Sequence, residues 1–307
     1  MKKARSYKRS LSSKKSHRIP ALLALAIGFS LHSCADIPVK SVMTAENDLK
    51  QFASEWGAAL RQAGTPHANT RATTPSVPAN QDSASFSACR QFFAGGRPPV
   101  VSPRPTHRAL CYEAFAILHS GESKTAVFVA ERLNQASIAD ADEKRTNKFF
   151  PDARLRSAER ATLDDYKGSG FDRGHLAPAG DMPSAQSMAQ SFSLANMVPQ
   201  APEHNRGAWA KSVEEATRKY ASRATGDVYV ITGPVYDPSI AQSQGIGAGQ
   251  VRVPKYLFKL VYDQDANRAW AHWHLNDEAT RGSKPISYSE LVRRTGIDFL
   301  PGFTSTR

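Results

Sequence analysis

Two pairs of apolar runs, each joined by a short polar turn, limit this fold more than any other feature. "CYEAFAILHSG" and "KTAVFVAERL" flank a turn at Ser120–Ser123, and "YLFKLVYD" and "NRAWAHWHL" flank "DQDAN". Runs rich in aromatic and β-branched residues read as strands, and so short a link lets two strands pair only antiparallel. "GDVYVITGPVY" (Gly226–Tyr236) is a further buried-strand candidate. Helices are expected over Ser184–Ser193, Gly207–Arg223 and Ser287–Arg294. Strands come early and late with helices between them and no regular alternation, so the expected class is α+β on a mainly antiparallel sheet. His272 and His274 are two apart on the last strand and share a face. They could begin a zinc site, but no third ligand is spaced to complete it, and they read as ordinary strand-face histidines.

The N-terminal 85 residues stand outside this pattern. Residues 1–18 hold eight Lys and Arg and no acid, and Ile19–Leu31 is an apolar run of thirteen. That run is too short to span a membrane, which takes about 20 residues, but it fits the core of an export signal. "LHSC" then resembles a bacterial lipoprotein box with Cys34 as the lipidated residue, although His32 is unusual inside it. A signal-peptidase cut near Ala35 and an uncleaved anchor are the rivals, and each reading exports the body of the chain. The expected location is the periplasm, on a lipid anchor or free, or the medium. Subtracting the leader's +8 from the chain's +12 leaves +4 on residues 35–307. So mild a charge is compatible with a polyanionic partner without arguing for one.

Ser41–Gly64 has apolar residues at helical spacing, and Thr65–Ser85 is a Pro, Thr, Ser and Asn-rich linker. The domains expected are therefore an export segment (1–34), a helix plus linker (35–85) and one functional domain (86–307). With Cys34 lost or lipidated, Cys89 and Cys111 remain as a pair for a disulfide in an oxidising compartment, two buried free thiols being the alternative.

The chemistry gathers around "GSGFDRGHLAPAGD" (Gly168–Asp181). His175 has the side chain that can take a proton near neutral pH. Arg173, two residues earlier, faces the same side of an extended chain and offers a planar fork for phosphate oxygens. Asp172 faces the other side, free to hold backbone or another side chain. Gly168, Gly170 and Gly174 allow close approach of backbone or substrate. A base beside a phosphate clamp suits phosphodiester hydrolysis, but an Arg–His pair on a strand is also a common structural feature. Thirty residues on, "LANMVPQAPEHNRGAW" brings Asn196 and Asn205. Asn205 sits where a helix should begin. It could be an N-cap, or its carbonyl could hold a magnesium ion that keeps most of its waters.

"SGFDRGHLAPAGD", the Asn segment and "RTNKFFPD" (Arg145–Asp152) together resemble the DNA/RNA non-specific endonuclease family, the ββα-metal nucleases, over about Cys111–Tyr236. The resemblance implies His175 as general base, Asn205 as the direct protein ligand of hydrated Mg2+ (with Mn2+ tolerated), and Arg173 and Arg145 near the scissile phosphate. Asn196 would help shape the site. DNA and RNA are the implied substrates, read through their backbones, with 5′-phosphate products. Two copies could pair as a homodimer, and any membrane contact would come through Cys34.

One position departs from the family pattern. The family places a glutamate eight residues after the metal-binding Asn, where this chain has Val213; Glu214 is one step further. On an α-helix, at about 100° per residue, a step of eight turns a side chain roughly 80° from Asn205 and a step of nine roughly 180°. Either the helix carries a one-residue bulge, or Glu214 does not take the family role. If it does not, a surface-anchored nucleic-acid-binding protein with weak or no catalysis is the alternative to a nuclease, and a phosphoesterase for small diesters is a third reading.

Overall fold

A computed structural model describes residues 85–237 and 245–304. The expected leader, Cys34, the Ser41–Gly64 helix and nearly all of the linker lie outside the described residues. The strands are β1 (His107–Cys111), β2 (Phe115–Ser120), β3 (Thr125–Leu133), β4 (Asp172–His175), β5 (Met197–Gln200), β6 (Val228–Val235), β7 (Gly245–Ile246), β8 (Val251–Arg252), β9 (Tyr256–Asp263), β10 (Arg268–Leu275) and β11 (Ile286–Ser287). Seven of them form one sheet in the order β1-β2-β3-β6-β9-β10-β11, all antiparallel. Both expected hairpins are present, and the Gly226–Tyr236 run becomes the sheet's central strand, β6, buried along nearly its whole length.

Alternation along the strands gives the sheet two apolar faces. Ile117, Val129 and Leu257 pack with Leu176, Phe192, Trp209 and Val213. Their sequence neighbours Leu118, Phe128 and Phe258 point the other way, onto Phe86, Phe93, Leu291 and Phe299. The first face carries the small sheet of β4 and β5 and the helical segment that follows it. His272 and His274 share that same face of β10, as their spacing predicts, and are buried.

The short helices are α1 (Gln135–Ala139), α2 (Leu163–Tyr166), α3 (Ala185–Ser191), α4 (Glu215–Ala221) and α5 (Tyr288–Thr295). α3 and α5 correspond to two of the expected helices. The third expectation, Gly207–Arg223, is corrected: the helix starts earlier, and His204–Glu214 is a π-helix that runs directly into α4.

Cys89 and Cys111 form a disulfide. It ties the segment carrying Phe86, Phe92 and Phe93 to the end of β1 at the sheet edge. Closing a loop of this length stabilises by about 3 kcal/mol in the chain-entropy model. Cys89→Ala/Cys111→Ala is therefore expected to lower the thermal midpoint by roughly 6–12 °C for a domain of this size, measurable by scanning calorimetry.

Candidate active site

The DRGH strand β4 pairs antiparallel with β5, setting Asp172 against Gln200 and His175 against Met197. The glycines around it serve for two different reasons. Gly168 and Gly170 hold left-handed backbone, φ +69° and +81°, which L side chains rarely adopt. Gly174 instead yields to a neighbour: a Cβ there would stand 2.6 Å from Gln200 Cβ, and Gln200 is fully buried with no room to give.

His175 is buried, its ring 5.1 Å from that of Phe192 and 5.9 Å from that of Phe149. Its Nε2 is buried without a hydrogen-bond partner among the described residues. Burial, and then the Arg145 guanidinium, lower its pKa to about 3. The imidazole is neutral across the working range and presents a vacant acceptor or a free N–H, depending on tautomer. Arg173 and His175 face the same side, as the period of two predicts: both lie against Phe149, the Arg173 guanidinium 4.1 Å above its ring. Arg145 lies 4.9 Å above Phe192. Two cations therefore rim an aromatic pocket that holds the base.

The "FPD" segment is placed by its aspartate. Asp152 accepts from Tyr112 Oη at 2.5 Å and from Arg154 Nη2 at 2.6 Å. Phe150 bonds Phe192 and Leu194 through the backbone, which joins the Arg145 segment to the chain leading into β5. Asn196 is fully buried and clamps the loop after His175: its Oδ1 accepts from Ala177 N, and its Nδ2 donates to Ala177 O and Ser191 O.

Asn205 lies inside the helix rather than at its start: Pro202 and Glu203 are already helical ahead of it, and Glu203 makes no side-chain cap bond. The N-cap alternative is thereby excluded. Its Nδ2 donates to Asp172 Oδ2 at 2.9 Å, and Arg206 forks onto the same carboxylate at 2.8 and 2.6 Å. A carboxylate only accepts, so the amide must turn its nitrogen to Asp172. Asn205 Oδ1 is left with no hydrogen bond among the described residues. A neutral oxygen held in this way suits a largely hydrated divalent cation, which takes few direct protein ligands. Asp172 bonds Asn205 and faces away from His175.

The π-helix changes the direction that an α-helix would give Glu214. A helix closing i→i+5 bonds turns roughly 80° per residue, so nine steps return Glu214 to within about 20° of Asn205. Val213, at the family's glutamate position, is fully buried in the core behind the site. Glu214 lies in the field of Lys259 and Asp181, both buried, and of Arg218 and Arg145. Burial pushes its carboxyl up to about 7, offset in part by Lys259 and reinforced by Asp181. Deleting the exposed Ser212 would restore the family spacing on a regular α-helix. The deletion variant is expected to keep activity within about tenfold, whereas Glu214→Ala is expected to lose about a hundredfold, measured side by side at saturating magnesium.

The structure thus gathers His175, Arg173 and Arg145 around Phe149 and Phe192, sets Glu214 in the field of Arg145, and ties Asn205 to the DRGH strand through Asp172. The aromatic pocket of Phe149 and Phe192 and the buried Lys259 carry no local signal and were not legible in sequence.

The family profile of DNA/RNA non-specific endonucleases matches residues 97–305. The mitochondrial nuclease EXOG of Homo sapiens is 36% identical over 218 residues, covering 64% of this chain and 58% of that protein. Nuclease C1 of Cunninghamella echinulata var. echinulata is 33% identical over 204 residues, 62% of this chain and 80% of that one. The Nuclease of Nostoc sp. is 31% identical over 224 residues, 67% and 78% of the two chains. The chain spans 44% of the Xenopus laevis EXOG, so it matches only about half the length of these mitochondrial relatives. The crystal structure of the EndoG/EndoGI complex has a chain of the same fold, with a TM-score of 0.55 at 23% identity, covering 62% of this chain and 84% of that one.

Proposed function

The chain belongs to the DNA/RNA non-specific endonuclease family, and on that premise we propose that it is a magnesium-dependent endonuclease hydrolysing phosphodiester bonds of DNA and RNA without sequence preference. The observation that carries this reading is that two groups of one small ββ-plus-helix unit make no hydrogen bond among the described residues: His175 Nε2, and Asn205 Oδ1, which Asp172 turns away from itself. Magnesium on Asn205 would supply Lewis-acid stabilisation of charge on a phosphate and its leaving oxygen.

The chain's own residues do the rest. His175 Nε2 accepts the proton of the attacking water; its burial keeps it neutral and therefore competent to accept. Arg173 and Arg145 sit where charge grows on the phosphoryl oxygens and offset it. Phe149 and Phe192 exclude bulk water from the imidazole and orient the two guanidiniums. Asn196 holds the turn that follows the base. With contacts to the backbone only, affinity is expected to fall steeply with salt. The disulfide fits an exported protein; we place it in the periplasm, on a Cys34 lipid anchor or free.

Glu214 sets the pH dependence. Its ionised form is the one that stabilises cations and accepts hydrogen bonds from metal-bound waters. With a pKa of about 7, activity rises as pH rises through neutrality and is lost below it. kcat/KM measured between pH 5 and 9 is expected to show an acid limb near 7 that vanishes in Glu214→Gln. His175, at about 3, does not produce that limb.

The binding-only alternative rests on the displaced glutamate, and the π-helical turn of Glu214 toward the Asn205 side favours the nuclease over it. The deciding experiment incubates the purified protein with plasmid DNA and with RNA, in magnesium or in EDTA. Degradation of both in magnesium alone is expected. Intact nucleic acid that is nonetheless shifted in a gel would overturn the proposal in favour of a binding protein.

A further inference from the structure

Lys259 lies on β9, at the centre of the sheet, and is fully buried. An ammonium has three donors; two of them have acceptors here, and a carboxylate lies near. Nζ donates to Thr232 Oγ1 at 2.7 Å and to Leu176 O at 3.3 Å, and lies 3.8 Å from Glu131 Oε2. Thr232 is its cross-strand partner on β6, and Glu131 is on the neighbouring strand β3. Leu176 directly follows His175.

Stability does not explain this arrangement. Taking an ion pair out of water costs more than its mutual attraction returns in many proteins, and apolar replacements of equal size are often neutral or stabilising. The Glu131–Lys259 pair is a costly example. Both Glu131 oxygens are buried without a hydrogen bond among the described residues. Burial pushes the Glu131 carboxyl well up, and Lys259 only partly offsets that. The loop after His175 is meanwhile held from two sides. Asn196 grips Leu176 N and both polar groups of Ala177, while the Leu176 carbonyl is held from the sheet by Lys259.

We propose that Lys259 is a positioning residue for the hydrolysis: its ammonium, anchored by Thr232 and Glu131, fixes the Leu176 carbonyl and so sets where the His175 imidazole stands. The inference rests on the function proposed above. It assigns Lys259 no contact with substrate.

The test compares wild type, His175→Ala, Lys259→Met and Glu131→Gln/Lys259→Met as full chains on supercoiled plasmid with magnesium, measuring the thermal midpoint and, on the alkaline plateau where Glu214 is ionised in each protein, kcat and KM. Lys259→Met alone strands a buried carboxyl and is expected to lose stability and kcat together. The double variant removes both charges. It is expected to recover the wild-type midpoint while kcat stays at least about tenfold down and KM stays within about twofold, since a merely structural pair would return activity with stability. A stable double variant with wild-type kcat, or with a loss carried by KM alone, overturns the positioning role. Should the double variant not fold, Thr232→Val decides. Without its shortest anchor the ammonium drifts, and kcat is expected to fall several-fold at constant KM; an unchanged kcat overturns the proposal. A wild type that does not cleave fails at the level of the function itself and takes this inference with it. Cleavage by wild type, loss in His175→Ala and full activity in the double variant would remove the positioning role alone.

Discussion

His175→Ala is expected to lower the rate of plasmid cleavage at saturating magnesium by about 10³-fold, within the range that a positioned general base supplies. The fold should survive. The imidazole makes no hydrogen bond through Nε2, so its removal strands no buried partner there; the cost is a cavity between Phe149 and Phe192. Nucleic-acid affinity should survive as well. Arg173 and Arg145 are held by those two rings and by Asn147, which accepts from Arg145 Nε at 2.7 Å, and not by His175. A gel shift in EDTA that matches wild type, beside a rate reduced about 10³-fold, assigns the loss to chemistry. A loss of affinity in proportion to the loss of rate would instead make His175 a binding group.

Asn205→Ala is expected to be nearly as damaging, with a different signature. The substitution removes the one oxygen that Asp172 leaves free and disturbs little else, because Arg206 still forks onto Asp172. The magnesium concentration for half-maximal activity should rise by more than about tenfold, and the rate at saturation should fall by about 10²-fold. Asn205→Asp is not a conservative alternative. Its carboxylate would lie where Nδ2 now meets Asp172 Oδ2 at 2.9 Å, and like charges so close cannot both ionise without cost. A magnesium titration of nicking rate in the three proteins measures both effects. A changed rate with an unchanged magnesium midpoint in Asn205→Ala would separate Asn205 from the metal.

The sheet was legible because its signals are local. Strand runs such as "KTAVFVAERL" and "YLFKLVYD" alternate around short turns, and the antiparallel pairing follows from the link lengths. The site was legible where residue type alone limits the chemistry, at His175, Arg173 and Asn205. It was ambiguous where two conformations suit one sequence. Asn205 could have been an N-cap, and the earlier start of the helix together with the Asp172 carboxylate on β4 decides against that. Glu214 sat on the wrong side of any α-helix; the sequence showed the mismatch but not its resolution, since π-helical hydrogen bonding leaves no residue signature. Phe149, Phe192 and Lys259 were invisible for a further reason. Their roles depend on contacts across tens of residues, and an aromatic or a lysine in an apolar run reads as core or as surface until its neighbours are known.

The rate of supercoiled plasmid nicking, followed against magnesium concentration for wild type and for His175→Ala in the same preparation buffer, tests the central claim most directly. The predicted result is a saturable, EDTA-sensitive rate in wild type and a rate about 10³-fold lower in the variant at every magnesium concentration. Nicking that persists in EDTA, or that is undiminished by the loss of His175, would contradict it.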